Sequence, residues 1–146
     1  MPSFMRLTGK HEISKFVNMI FKKNQHHPLY TFTNRCRIDP PRNTRRSVDW
    51  HQEIFYTIPQ SEFVQTWGPL VNDIKKENGT IEICVGSHKE EIAQQSYDKE
   101  ENIAAPFVLD PSLIEKYKKV SIEMKLGDLM VFSPKLFHRS GSNVSN

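Results

Sequence analysis

Three residues of this chain have types that suit a shared metal ion: His51, Glu53 and His138. His51 and Glu53 are two positions apart, and in a strand side chains at this spacing project to the same face. Both could therefore bind one ion, with His138 as the candidate for a third ligand from elsewhere in the fold. Two histidines and one carboxylate, with coordination positions left open, form the facial triad of non-haem Fe(II) oxygenases. The sequence therefore predicts a metal centre with room for further ligands.

Two alternatives stay open for the same residue types. Histidine and glutamate also suit catalytic zinc, although the helical H-E-x-x-H spacing is absent from this chain. A histidine near an acid is also common as a surface ion pair or as a hydrogen-bonded core residue. The tripeptide from His51 to Glu53 does not by itself separate these cases.

The elements that must position these residues are mostly short and β-prone. Strand-like runs bounded by turn signals predict a mainly β domain with flanking helices. Apolar residues at helical spacing predict an amphipathic helix over residues 11–23. Residues 88–109 lack clear periodicity, which predicts a long loop of the kind that often forms a lid or binding loop. The main predicted strands cover residues 29–38, 50–58, 63–71, 80–85, 120–124 and 129–132.

Length and composition exclude several classes of protein. The 146 residues predict a single domain, 1–146, and a formal charge of +3 is too small for a nucleic-acid footprint. No run approaches the ~18 consecutive apolar residues that span a bilayer, which predicts no membrane association. Residues 1–10 lack the apolar region of a signal peptide, so a cytoplasmic location is expected. The basic residues Arg42, Arg45 and Arg46 are interpreted as a solvated turn, the alternative being a site for a polyanion.

Four linked motifs, covering roughly residues 29–146, resemble the phytanoyl-CoA dioxygenase family in order and approximate spacing. They are Trp50-His51-Gln52-Glu53, then Trp67, then the run from Glu77 to Lys89 (ENGTIEICVGSHK), and finally Gly127-Asp128-Leu129-Met130-Val131-Phe132 followed by His138-Arg139-Ser140-Gly141-Ser142-Asn143. The resemblance implies a double-stranded β-helix (jelly-roll) over residues 29–146, incomplete at both ends, preceded by an N-terminal helical segment, 1–28. It also implies Fe(II) and 2-oxoglutarate, with O2 and a small organic molecule as the other reactants.

The family pattern assigns roles to particular residues. It makes His51 and Glu53 the first two iron ligands and His138 the distal one. Trp67 and Ser140 match positions that border the 2-oxoglutarate pocket. Gln52 matches a position that can approach the substrate.

This sequence departs from the family pattern at two points. The family usually has Asp where this chain has Glu53, a change that keeps the charge and the ligand type. The Arg that holds the distal carboxylate of 2-oxoglutarate is expected some ten residues after His138, which falls past Asn146. Arg37 is a hypothesis for a replacement contact to 2-oxoglutarate, the alternative being a surface residue. These departures leave two expectations: an active dioxygenase, or a degenerate jelly-roll that binds metal or ligand without turnover.

Overall fold

The computed structural model describes residues 6–7, 9–31, 34–43, 47–56, 62–97 and 106–146. Two compact units divide the chain, Met1–Ile38 and Asp39–Asn146. All three residues that suit a metal ion belong to the second unit. The sequence analysis places the start of the jelly-roll at residue 29, and this boundary stays a prediction. Arg45 and Arg46, two members of the predicted basic turn, lie outside the described residues.

The first unit contains helix α1, His11–Ile20, close to its predicted range. The helix ends where Lys22 takes the left-handed conformation (φ 54°), which often follows a helix C-terminus. Asn18 is buried on the helix, and its amide donates hydrogen bonds to the carbonyl oxygens of Gln25 (3.3 Å) and His27 (2.9 Å). These two bonds hold the segment after the helix against it.

The strand predicted over residues 29–38 is wrong. Those of its residues that the structure describes are irregular and mostly exposed, including Tyr30 and Ile38. Aromatic and β-branched residues favour a strand because they fit a half-buried pleated surface. Exposed residues gain little from that fit, so residue type alone does not predict a strand correctly in this segment.

The second unit is built from short antiparallel strands in two layers. The strands are β1 Gln65–Trp67, β2 Ile81–Cys84, β3 Gln95–Tyr97, β4 Phe107–Leu109, β5 Lys119–Ser121, β6 Met130–Phe132 and β7 His138–Ser140. The larger layer contains a three-stranded sheet in the order β5-β2-β7 and a hairpin of β3 and β4. Backbone hydrogen bonds of the segment 48–51 connect the two, because this segment bonds to β7 on one side and to Leu109 of β4 on the other. The smaller layer pairs β1 with β6.

A core cluster joins the two layers. Ile81 of β2 and Phe132 of β6 pack together with Leu136, and Trp67 of β1 packs against them. A second cluster lies at the other side of the larger layer and includes the short helix α2, Pro111–Ile114. Asp110 caps α2 by accepting a hydrogen bond from Ser112 N–H, and Pro111 takes its first position.

Two further expectations need correction. Residues 50–58 do not form a continuous strand, because the chain turns into a short 3₁₀ helix, Glu53–Tyr56, directly after His51 and Gln52. The expected long loop over residues 88–109 contains β3 and β4, whose ladder pairs Gln95 with Leu109 and Tyr97 with Phe107. The hairpin was missed because its strands are only three residues long, so they show little apolar alternation. In the described parts of the chain, no helix is long and apolar enough to cross a membrane.

Candidate metal centre

The backbone brings the two histidines together across a strand pair. His51 N–H donates to His138 O (3.1 Å), and His138 N–H donates to His51 O (3.2 Å). Residues that exchange both hydrogen bonds lie directly opposite each other, with their side chains on the same face. The two imidazole rings are accordingly 4.2 Å apart between centroids, and both are buried.

A β-bulge next to this pair orients the His51 ring. The next bond along the ladder runs from Ser140 N–H to Val48 O (2.9 Å). From the histidine pair to this bond, one strand uses one residue more than the other (48–51 against 138–140), which defines a β-bulge. The carbonyl oxygen of Asp49, within the bulge, is 2.8 Å from His51 Nδ1. The Asp49 side chain also accepts a hydrogen bond from Trp50 N–H (2.7 Å), which stabilises the bulged backbone.

Both imidazoles are held in the same tautomer. His138 Nδ1 lies 2.8 Å from Leu136 O, which matches the contact between His51 Nδ1 and Asp49 O. A carbonyl oxygen can only accept, so each Nδ1 carries the proton and each Nε2 keeps its lone pair. Metal-binding histidines are commonly fixed in this way, with the other ring nitrogen donating to a carbonyl or carboxylate. The two Nε2 atoms therefore present lone pairs within one small region.

Glu53 supplies an acidic group at the same place. Its Oε2 is 3.4 Å from His51 Nε2 and 3.9 Å from His138 Nε2. One possible ligand atom from each of the three residues lies within 4.8 Å of the others. The proximity of His51 and Glu53 was expected, but the reason given by strand alternation is wrong, because Glu53 already begins the 3₁₀ helix.

The electrostatics of the centre keep it ready for a cation. Burial raises the pKa of Glu53, but the adjacent His51 side chain, the Gln65 amide and the His138 side chain together outweigh it, so the pKa lies below its usual value. Burial, together with the repulsion that a second proton would meet beside the His51 ring, lowers the pKa of His138 to about 3. At neutral pH the site thus contains an ionised carboxylate and a neutral His138 imidazole, which are the forms that bind metals.

The donor set fits Fe(II). Two imidazole nitrogens and one carboxylate, with no thiolate, form the combination typical of non-haem iron with open positions. Among the described residues, this is the one group of three or more histidine, cysteine or acidic side chains placed to share an ion. His88 lies in a short 3₁₀ turn, Ser87–Lys89.

The remaining predicted site residues have different surroundings. Trp67 packs against the cluster that contains Phe132, and the edge of the Phe132 ring contacts the His138 ring (5.1 Å between centroids). Ser140 is two residues after His138 on β7, and its Oγ accepts a hydrogen bond from Val48 N–H (3.2 Å). Arg37 is exposed in the first unit, and its contact with 2-oxoglutarate stays a prediction.

Gln52 is fully buried and its amide is occupied by backbone groups. Its Nε2 donates to the carbonyl oxygens of Lys135 (2.9 Å) and Glu91 (3.4 Å), and its Oε1 accepts from Ala93 N–H (2.9 Å). The expected approach to a substrate is therefore untested and receives no support from these contacts. In this structure Gln52 connects the segment before His138 to the segment that leads into β3.

Sequence reasoning missed two residues that contact the centre. Gln65 donates a hydrogen bond to the Glu53 carboxylate, and the Tyr56 ring meets the His51 ring edge-on (5.6 Å between centroids). A signal for Gln65 was available, since it lies two residues before Trp67 and shares its face in a strand. The position of Tyr56 depends on the 3₁₀ helix, which residue type did not reveal.

Fold and site together define a two-layered β protein with a centre of two histidines and one carboxylate. The chain belongs to the phytanoyl-CoA dioxygenase family (PhyH), whose family model matches residues 6–146. This match confirms the resemblance found in the motifs.

Two solved structures of EvdO2 from Micromonospora carbonacea var. aurantiaca are similar to this chain in fold. One is complexed with 2-oxoglutarate, and the TM-scores are 0.64 for the complex and 0.63 for the other structure. Each is 15% identical in sequence, and the match covers 97% of this chain and 57% of the EvdO2 chain. The likeness confirms the predicted jelly-roll, and the chain spans little more than half of the length of EvdO2. A search of curated protein sequences finds no match.

Proposed function

We propose that this protein is an Fe(II)- and 2-oxoglutarate-dependent oxygenase that hydroxylates a small organic molecule. The observation that carries the proposal is the convergence of His51, Glu53 and His138, each of which offers one possible ligand atom within 4.8 Å of the others. Membership of the phytanoyl-CoA dioxygenase family supports it, as does the fold shared with EvdO2, which was solved in complex with 2-oxoglutarate.

The residues of the proposed site would have distinct roles. His51, Glu53 and His138 would hold the iron, which when bound supplies the activation of O2. The two carbonyl groups at Asp49 and Leu136 keep both Nε2 atoms unprotonated for this purpose. In the overall reaction, one oxygen atom of O2 enters the substrate as a hydroxyl group. The other enters succinate, which forms with CO2 from 2-oxoglutarate.

Ser140 and Trp67 are our proposal for the border of the 2-oxoglutarate pocket. Ser140 shares the face of His138 on β7, because the two residues are two positions apart. Its Oγ accepts one hydrogen bond from backbone, so the hydroxyl proton can be donated to a carboxylate oxygen. Trp67 would supply an apolar wall on the side of Phe132.

The test is an anaerobic titration of the metal-free protein with Fe(II), followed by measurement of succinate formed from 2-oxoglutarate after O2 is admitted. We expect one iron per chain and succinate formation that requires both iron and O2. The variant Glu53→Gln should lose both iron binding and succinate formation. Glu77→Gln, at an exposed turn, is the control and should keep both.

Each other outcome of this test has a definite meaning. Tight iron binding without consumption of 2-oxoglutarate would support the alternative of a degenerate jelly-roll that binds metal without turnover. An unchanged iron affinity in Glu53→Gln would overturn the proposed centre itself.

A further inference from the structure

We propose that Gln65 is a positioning residue that holds the carboxylate of Glu53 towards the two histidines. The inference rests on the proposed metal centre and adds a residue to it. Its basis is one rung of the smaller β layer, the pair of Gln65 on β1 and Phe132 on β6.

This rung supports two of the three proposed ligands at once. Residues directly opposite each other in an antiparallel pair project to the same face of the sheet. Of this pair, Phe132 packs its ring against the edge of the His138 ring (5.1 Å, 71° between planes). Gln65 is close enough to Glu53 for its side-chain amide to lower the pKa of the Glu53 carboxyl by hydrogen bonding. The face of the smaller layer that carries this rung is therefore the face that lies against the metal centre.

The adjacent residues on β1 show the same alternation. Trp67, two residues after Gln65, packs into the core cluster together with Phe132. Thr66, between them, is exposed. The position of Gln65 is thus fixed by the pleat of the strand and by a buried neighbour, which gives its amide a defined direction.

Glu53 needs such a contact more than a shorter acid would. Glutamate has one more rotatable bond than aspartate, and ordering a long side chain costs conformational entropy. The Glu53 side chain is 17% exposed, so its carboxylate has lost most of its contact with water and depends on protein donors. A neutral amide can donate to a carboxylate without adding a charge that would compete with a metal cation.

Hydrogen bonds to metal-binding side chains have measurable effects. Removal of such a partner typically weakens metal affinity by ~10- to 100-fold, because the ligand is no longer held in the productive orientation. If Gln65 holds the Glu53 carboxylate in place, replacing Gln65 should weaken metal binding in this way.

The first experiment compares Co(II) affinity in the full chain. Co(II) is used as a spectroscopically visible substitute for Fe(II), and its visible absorption reports the arrangement of the ligands. Gln65→Met keeps the length of the side chain and removes the donor, and Gln65→Leu is a second variant should the first fold poorly. We expect both to bind Co(II) ~10- to 100-fold more weakly than the wild type, with a changed absorption spectrum. The matched control Thr66→Ala, on the exposed face of the same strand, should bind as the wild type does.

A double-mutant cycle separates positioning from a general weakening of β1. Glu53→Asp shortens the acid and takes its carboxylate out of reach of Gln65. If Gln65 acts through that carboxylate, Glu53→Asp costs less affinity in the Gln65→Met background than in the wild type. Equal costs in both backgrounds, or a Gln65→Met variant with wild-type affinity, would overturn the inference and leave the metal centre intact. A wild-type chain that binds no Co(II) would overturn the metal centre and this inference together.

Discussion

The replacement of Gln52 by leucine tests whether this residue holds the fold together or contacts a substrate. The variant Gln52→Leu has a side chain of similar size but removes the hydrogen bonds to Lys135 O and Ala93 N–H, both at 2.9 Å, and the longer one to Glu91 O. A buried donor or acceptor left without a partner costs ~1–3 kcal/mol. The two short bonds together therefore correspond to about 2–6 kcal/mol.

Burial of the leucine side chain offsets part of that cost. A leucine in apolar surroundings contributes about 1.5–3 kcal/mol, but this position is lined by backbone polar groups, so the lower end applies. We expect the free energy of unfolding to fall by about 0.5–4.5 kcal/mol. Since Gln52 adjoins His51 and bonds to the segment before His138, the metal affinity should fall as well.

The assay is urea unfolding of the metal-free protein, with a titration of Fe(II) on the same samples. Gln94→Leu, an exposed glutamine beside Ala93, is the matched control and should change the unfolding free energy by less than ~0.5 kcal/mol. If Gln52→Leu unfolds like this control and instead raises only the KM for a substrate, the structural role is refuted. The sequence-based role in substrate binding would then be favoured.

Three smaller predictions concern other parts of the site. Tyr56→Phe removes the hydroxyl that accepts from Phe107 N–H (2.9 Å) and donates to Phe107 O (3.2 Å), so it should lower the unfolding free energy by ~1–3 kcal/mol in urea, and no change would contradict this. Gly141→Ala would place a Cβ 2.5 Å from Thr80 O, a backbone atom that cannot move aside, so we expect a loss of ~1–3 kcal/mol and weaker metal binding, whereas a neutral effect would show that β7 shifts freely. The pKa of His138 is about 3 in the folded protein and ~6.5 in an unfolded chain. As the pH falls, the unfolded state therefore binds a proton before the folded state does. The stability of the metal-free protein should fall as the pH falls from ~6.5 towards 3. His138→Gln should flatten that slope between pH ~6.5 and 5 in urea unfolding series, and an unchanged slope would assign it to other groups.

The sequence predicted the fold class and the three candidate ligand residues that the structure brings together, but not the local backbone that positions them. The motifs around His51 and His138 identified the family and hence the jelly-roll. The pairing of these two residues across β7 depends on contacts far apart in the chain, which no local pattern contains. The bulge at Asp49 and the 3₁₀ helix at Glu53 were missed for the same reason, since both depend on hydrogen bonds to other segments.

Errors in the strand predictions have a common physical origin. The described residues within 29–38 have β-prone types but are mostly exposed, and β3 and β4 are paired but have weak apolar alternation. Strand formation depends on a partner and on burial as well as on residue type. β2 and β6 each combined a strand-like pattern with a turn signal before it, and the predictions over residues 80–85 and 129–132 are confirmed.

The two backbone carbonyls at Asp49 and Leu136 have a consequence for which metals the centre would accept. Each fixes the rotation of one imidazole, and the fixed rings cannot turn into a common plane to suit a different ion. Ions that favour octahedral surroundings, such as Fe(II), Co(II) and Mn(II), tolerate three ligands on one face, whereas Cu(II) prefers tetragonal arrangements. Cu(II) usually binds more strongly than the neighbouring divalent ions of the first transition row. A rigid pair of rings would reduce this difference in affinity. Discrimination between metals would then be set by two peptide groups rather than by the identity of the ligands.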